Sequence, residues 1–249
     1  WNEVQPAGAF NKNWQTSCMD SDGSHMLAGD YGGRLYLSIN SGANWSEVQP
    51  AGAFNKNWQT SCMDSVGLNI LAGDFGGRLY LSANSGTNWS EVQPAGDANK
   101  NWETSCMDSD GSHIFVGILD GRLYLSINSG ANWSEVQPVG NVDRHWEISC
   151  MNSDGSYIFA GVGGQYLGKL YLSTDSGATW SEVQPAGDVD KKWNTSCMDS
   201  TGAIILVGVE GGRLYLSDAG GSLFDALDGT CDGVIRCLLL SKDETKLFI

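Results

Sequence analysis

The stretch Gly33-Arg34-Leu35-Tyr36-Leu37-Ser38-Ile39-Asn40-Ser41-Gly42-Ala43-Asn44-Trp45-Ser46-Glu47-Val48-Gln49-Pro50 decides the fold. Apolar and polar residues alternate from Arg34 to Ser38 and again from Trp45 to Gln49, the period-two pattern of strands with one covered face. The intervening Asn40-Ser41-Gly42 is turn chemistry, because Asn and Gly tolerate positive φ. A β-hairpin is expected.

The hairpin recurs. Tryptophan stands at Trp1, Trp45, Trp89, Trp133 and Trp180, giving intervals by subtraction of 44, 44, 44 and 47, and Phe224 lies a further 44 on. A fixed period of this size marks a solenoid, a propeller or an array. In the second copy Trp45 to Gln49 reads as a strand, Ala51 to Asn57 as a polar loop, and Trp58 to Met63 as a strand. A turn at Asp64 to Gly67 precedes the short apolar strand Asn69 to Ala72, and Gly73 to Gly77 leads into Arg78 to Ser82. Four short strands and no helix per unit suit a propeller blade, whereas a parallel solenoid has shorter coils and no hairpin turn in every repeat.

Ser173-Thr174-Asp175-Ser176-Gly177-Ala178-Thr179-Trp180 matches the Asp-box, or BNR, pattern Ser-x-Asp-x-Gly-x-Thr-Trp at every defined position. The copies from Ser38, Ser82 and Ser126 keep Ser, Gly and Trp but carry Asn40, Asn84 and Asn128 for the Asp, and Asn44, Asn88 and Asn132 for the Thr. The copy from Ser217 to Phe224 has Ala219 and Leu223 there. The first 220 or so residues thus resemble Asp-box propellers of the sialidase-like, sortilin-like and photosystem assembly-factor kinds. The resemblance implies an all-β propeller of four-stranded antiparallel blades, with each box turning from the third strand to the fourth, away from the ligand face. It implies a fold far more than an activity.

On that reading residues 1–249 form a single domain whose blades begin near residues 14, 58, 102, 146 and 193. A divergent sixth offers Val234 to Leu240 and Lys246 to Ile249, and Trp1 to Gln5 closes it as an outermost strand. Six blades or more are expected, the last one short of a strand that either continuing chain or a neighbouring molecule supplies. A five-bladed ring with a separate tail is the alternative.

Composition narrows the partners. The formal charge of −15 repels phosphate backbones and anionic headgroups, which argues against nucleic acid. A hydrophobic fraction of 41% with 10 Trp excludes disorder, and no apolar run is long enough to cross a membrane as a helix. The chain starts inside a repeat, so a signal peptide is expected to have been removed or never present. Cys18, Cys62, Cys106, Cys150 and Cys197 are repeat equivalents and read as small buried apolar side chains, while Cys231 and Cys237 could bridge locally.

The loops joining strand two to three and strand four to one share a face that carries function in propellers of this topology. They place Asp30, Tyr31 and Arg34, then Asp74, Phe75 and Arg78, as candidate ligand-binding residues, aromatic platforms beside planar polar groups as sugars require. Lys12, Lys56, Lys100, Arg144 and Lys191 recur in the second kind of loop. Arg34, Arg78, Arg122 and Arg213, with Lys169, are repeat equivalents, expected to pair with Asp30, Asp74 or Glu210 instead of forming the asymmetric cluster of a sialidase. No catalytic set is expected.

His25, His113 and His145 do not cluster in sequence, and the first two read as interchangeable strand residues, not metal ligands. The Asp-rich turns starting at Asp20, Asp64, Asp108, Asn152 and Asp199 hold too few oxygens for calcium. Neither metal nor cofactor is expected. Asn44, Asn88 and Asn132, each followed by Trp-Ser, and Asn194, followed by Thr-Ser, are N-glycosylation acceptors. Trp14, Trp58, Trp102, Trp146 and Trp193 are expected to wedge between blades. The combined expectation is a non-enzymatic, secreted interaction or scaffold propeller that is glycosylated and binds protein partners or itself; a lectin is the alternative, a sialidase-type hydrolase the third.

Overall fold

The computed structural model describes residues 3–227, together with the backbone of 239–240 and 247–248. All its regular elements are strands, and they repeat in fours. The first repeat holds β1 (Trp14–Met19), β2 (Met26–Gly33), β3 (Leu35–Ser38) and β4 (Ser46–Val48). The second holds β5 (Lys56–Met63), β6 (Ile70–Gly77), β7 (Leu79–Ser82) and β8 (Ser90–Val92). The third holds β9 (Lys100–Met107), β10 (Ile114–Ile118), β11 (Leu123–Ser126) and β12 (Ser134–Val136). The fourth holds β13 (Trp146–Met151), β14 (Ile158–Val162), β15 (Leu170–Ser173) and β16 (Ser181–Val183). The fifth holds β17 (Trp193–Met198), β18 (Ile205–Val209), β19 (Leu214–Ser217) and β20 (Asp225–Ala226). A last antiparallel pair joins β21 (Leu239–Leu240) to β22 (Leu247–Phe248).

In the fourth and fifth repeats the strands pair antiparallel in chain order, as separate four-stranded sheets. The contacts divide the chain into two compact units, residues 1–114 with 126–134, and residues 115–125 with 135–249. In the first unit, the end of β2 pairs with β5 (Tyr31↔Asn57, Gly33↔Lys56), and the end of β6 pairs with β9 (Phe75↔Asn101, Gly77↔Lys100). Asp-Tyr-Gly-Gly reads in sequence as a turn. Instead Gly32 (φ +80°) and Gly76 (φ +77°) sit at bulges that let each strand leave its own sheet for the next repeat.

Each box lies between the third and fourth strands of its repeat, as expected. The positive φ falls on Ser41 (56°) and Gly42 (79°), with Asn40 serving as a hydrogen-bond acceptor. Asn40 Oδ1 accepts from the Asn44 N–H at 2.8 Å and from Ser38 Oγ at 3.1 Å, while Ser38 Oγ accepts from the Gly42 N–H at 2.9 Å. The box glycine is also a packing device. A Cβ on Gly86 would stand 2.3 Å from Leu37 Cδ2, one on Gly130 2.5 Å from Leu81 Cδ2, and one on Gly177 2.6 Å from Leu125 Cδ2, so each box lies on the third strand of the preceding repeat.

The core forms where repeats meet. Trp58 joins Leu27, Leu35 and Leu37 of the preceding repeat, and Trp193 joins Phe159, Leu170 and Leu172. Trp58, Trp102, Trp146 and Trp193 are each 2% exposed, but Trp14 is 42% exposed and borders an apolar groove of about 450 Å³ with Val4, Met19 and Trp45. The wedge expectation therefore fails at Trp14, because a wedge needs a sheet on its other side and none of the described residues supplies one. Glu3 to Gln5 form no strand, so the outermost strand expected over Trp1 to Gln5 is absent from its described part; Trp1 and Asn2 lie outside the described residues. Cys231, Cys237 and most of the expected sixth blade also lie outside them. None of the five repeat cysteines is in a disulfide; Cys62, Cys106 and Cys197 are buried, and burial pushes the Cys18 and Cys150 thiols up to about 12.

Candidate functional site

Asp30 and Asp74 stand in the extended strands β2 and β6, not in loops, and are 5% and 4% exposed. Asp30 accepts from the Asn13 N–H at 3.0 Å and faces Lys12 at 3.4 Å; Asp74 accepts from the Asn57 N–H at 2.9 Å and faces Lys56 at 3.0 Å. That hydrogen bond from Lys56 to Asp74 pushes the lysine above its ordinary value. The space for each carboxylate is left by glycine, since a Cβ on Gly33 or Gly77 would come within 1.9 Å of an Asp oxygen.

The arginines turn away from these acids. Arg34 meets Glu47 at 3.6 Å on β4, and Arg78 meets Glu91 at 3.4 Å and Asp97 at 2.6 Å. Pairing with Asp30 and Asp74 is thus corrected: only the backbone joins them, through Asp30 N–H to Arg34 O and Asp74 N–H to Arg78 O, both at 3.0 Å. Cross-strand geometry explains it, since the arginine's strand neighbour is β4 or β8. Arg122 with Glu135 and Asp143, and Lys169 with Glu182 and Asp188, repeat the arrangement, whereas Arg213 stands where Ala226 replaces the glutamate.

What remains open to solvent at this edge is aromatic. Tyr31 is 37% exposed and Phe75 is half-buried, each opposite an asparagine of the next repeat. Later repeats do not continue the pattern: Ile118, Val162 and Val209 replace the aspartate, and Leu119 and Glu210 stand at the aromatic position of the third and fifth repeats. The candidate residues are therefore a property of the first two repeats.

Asn44, Asn88 and Asn132 are exposed on the box turns. Asn194 differs in setting: it lies within β17, half-buried, with its Oδ1 buried. His25 and His113 stand just before β2 and β10, not within strands, with Nδ1 2.7 Å from Asp20 and 2.6 Å from Asp108. Ser24 and Ser112 bond the same carboxylates, so these turns close on their own side chains. Among the described residues no three His, Cys, Asp or Glu gather as a metal site.

One cluster escaped the sequence reading. His145, 6% exposed, lies with Nδ1 3.2 Å from Asp120 and Nε2 3.5 Å from Glu147, and Tyr166 meets its ring edge-on at 4.7 Å. The signal available was the 47-residue interval from Trp133 to Trp180, whose extra residues fall in the Gly163 to Gly168 segment that carries Tyr166.

No protein-family model matches the chain, and no curated protein does. Among solved structures, the GH74 xyloglucanase of Xanthomonas campestris aligns over 92% of this chain and 42% of its own, with TM-score 0.70 and 16% identity. The GH74 enzyme of Niastella koreensis aligns over 86% and 38%, with TM-score 0.68 and 18% identity. The chain thus has the fold of β-propeller proteins and spans less than half the length of these two. YCF48 bound to D1 peptide aligns over 93% and 88% at TM-score 0.47 and 11% identity, too weak a likeness to bear on function.

Proposed function

We propose that the chain is a non-enzymatic interaction propeller, one domain of six or more blades of the Asp-box kind, that binds protein partners or further copies of itself through the edge bearing Tyr31 and Phe75. The observation that carries this reading is the commitment of Asp30 and Asp74 to internal pairs while the neighbouring Tyr31 ring stays exposed. A carboxylate already holding a backbone N–H and a lysine is a structural anchor, whereas an acid or base in catalysis must reach its substrate. Two rings in equivalent places of adjacent repeats, Tyr31 exposed and Phe75 half-buried, suit contact at more than one point. The protein on this reading is extracellular and carries N-glycans at Asn44, Asn88 and Asn132, which are exposed on their turns, and at Asn194.

Carbohydrate binding is the second reading, favoured by the same two rings, which offer stacking surfaces. A glycan array and a peptide array probed with the chain and with Tyr31→Ala/Phe75→Ala separate the readings. Peptide signal lost in the variant supports the first; glycan signal lost in the variant supports the second. Release of reducing sugar from xyloglucan or a sialoside by the intact chain would sink the non-enzymatic reading. Intact mass of chain secreted by a eukaryotic host, before and after N-glycan removal, tests the glycans: an unchanged mass removes them.

A further inference from the structure

His145 occupies the place held by Asn13, Asn57 and Asn101 in the first three repeats, and its surroundings have changed with it. Asp120, in the β10–β11 turn, adopts φ +53°, in the left-handed region that Gly32, Gly76 and Gly211 occupy at the equivalent positions. A side chain held there is mildly strained. From the other side comes Glu147 of β13, and the 163–168 segment lies against Glu147 and the His145 ring. Gly163 N–H donates to His145 O at 3.2 Å and Gly164 N–H to Trp193 O at 3.0 Å, while a Cβ on Gly164 would stand 2.5 Å from Glu147 Oε2.

The proton count of this arrangement is specific. A neutral imidazole has one N–H donor and one bare nitrogen, whereas the cation has two donors. With a carboxylate at each nitrogen, only the cation serves both. Removing the proton turns a lone pair toward one carboxylate, and Asp120, whose side chain is 65% exposed against 24% for Glu147, is the one that water can take over. The groups facing the ring are Asp120 from the β10–β11 turn, Glu147 from β13 and Tyr166 from the β14–β15 segment; Arg144, the residue before His145, is exposed, and β17 contributes the Trp193 backbone.

We propose that Asp120, His145 and Glu147 form a proton-operated latch: the imidazolium fastens the β10–β11 turn to β13 and fixes the ring on which Tyr166 packs, and its deprotonation frees Asp120 and, through that ring contact, loosens the 163–168 segment with Tyr166 and Leu167. Those two side chains are 49% and 62% exposed, so the latch controls the order of an apolar surface tip. Sequence reasoning offered no such device, and the proposed binding edge in the first two repeats does not require it.

The test is hydrogen exchange of the intact chain, read by mass spectrometry on peptides covering 118–122 and 163–168, between about pH 5 and about pH 8, where histidine changes charge. His145→Asn, which installs the residue of the first three repeats, corrects for the intrinsic pH dependence of exchange. Relative to that variant, wild-type exchange in both peptides should rise by about threefold or more across a single-proton step as pH increases. A ratio that stays flat overturns the latch. Asp120→Asn is the second variant, because an amide can donate to the bare nitrogen of a neutral ring, and it should abolish the step while preserving slow exchange. A step of undiminished size in Asp120→Asn also overturns the proposal.

Discussion

Trp14 and Trp58 hold the same place in two repeats that share most of their sequence, yet one is 42% exposed and the other 2%. Local sequence does not separate them. Each ring meets the tyrosine of its own third strand edge-on, Tyr36 at 5.7 Å and Tyr80 at 6.0 Å, so their near environments agree. The difference is the sheet behind: Trp58 has Leu27, Leu35 and the Gly29 backbone of the repeat before it, and Trp14 has an open groove. The lesson is that this fold places its stability between repeats, as one-dimensional repeat architectures do.

The comparison can be broken most forcefully at the tryptophans themselves. Trp58→Ala should cost about 3–5 kcal/mol by deleting a fully buried ring. Trp14→Ala, at a half-open site, should cost under about 1 kcal/mol. Urea unfolding midpoints at constant slope measure both, and equal losses would mean that Trp14 is covered in solution by something beyond the described residues.

A smaller effect is expected at the glycines that let repeats approach. Gly86 and Gly96 have nearly the same backbone angle, φ +75° and +76°, but a Cβ on Gly86 would meet Leu37 at 2.3 Å and one on Gly96 would meet nothing within 4 Å. Both changes to alanine incur the strain of a positive φ, about 1 kcal/mol. Gly86→Ala should lose a further amount of about 1–3 kcal/mol through overpacking. If the two variants melt together, the box does not seat against the preceding repeat as described.

The smallest effect separates the one complete Asp-box from its asparagine copies. Asp175 accepts from the Thr179 N–H at 2.8 Å, from Thr179 Oγ1 at 2.6 Å and from Ser173 Oγ at 2.9 Å, and the Thr179 bonds foremost hold its carboxyl below the ordinary 3.8. A carboxyl depressed in the folded state stabilises fully above the unfolded value and ceases to as pH falls through the folded one. Asp175→Asn should therefore lower the melting temperature slightly near neutral pH, and the gap from wild type should close as pH drops below about 4. Asn40→Asp, without a threonine at position 44, should produce a weaker pH dependence. A gap that persists unchanged into acid would show that the Asp175 charge is irrelevant to the box.

The sequence was most legible where the repeat constrains one residue type. Ser38, Gly42 and Trp45 recur because a tight turn needs a hydroxyl acceptor, a residue free of Cβ and an apolar ring, and the box lies between third and fourth strands as the resemblance implied. The candidate site was less legible. Asp30-Tyr31-Gly32-Gly33 has turn composition, but the bulge at Gly32 turns it into a strand shared with the next repeat, a pairing that depends on residues more than twenty positions away. Arg34 could be assigned to Asp30 by proximity in sequence, but alternation along β3 sends it across to Glu47.

By itself, then, the sequence determined the period, the strand count per repeat and the chemistry of the turns, because these follow from residues within one unit: alternation, glycine's backbone freedom and the acceptor in each box. Only the tertiary structure decided which copies of a repeated residue are buried, which acids are anchors, and that His145 stands between two carboxylates. Those properties arise where one repeat meets another, and a repeating sequence writes both sides of every such contact in the same letters.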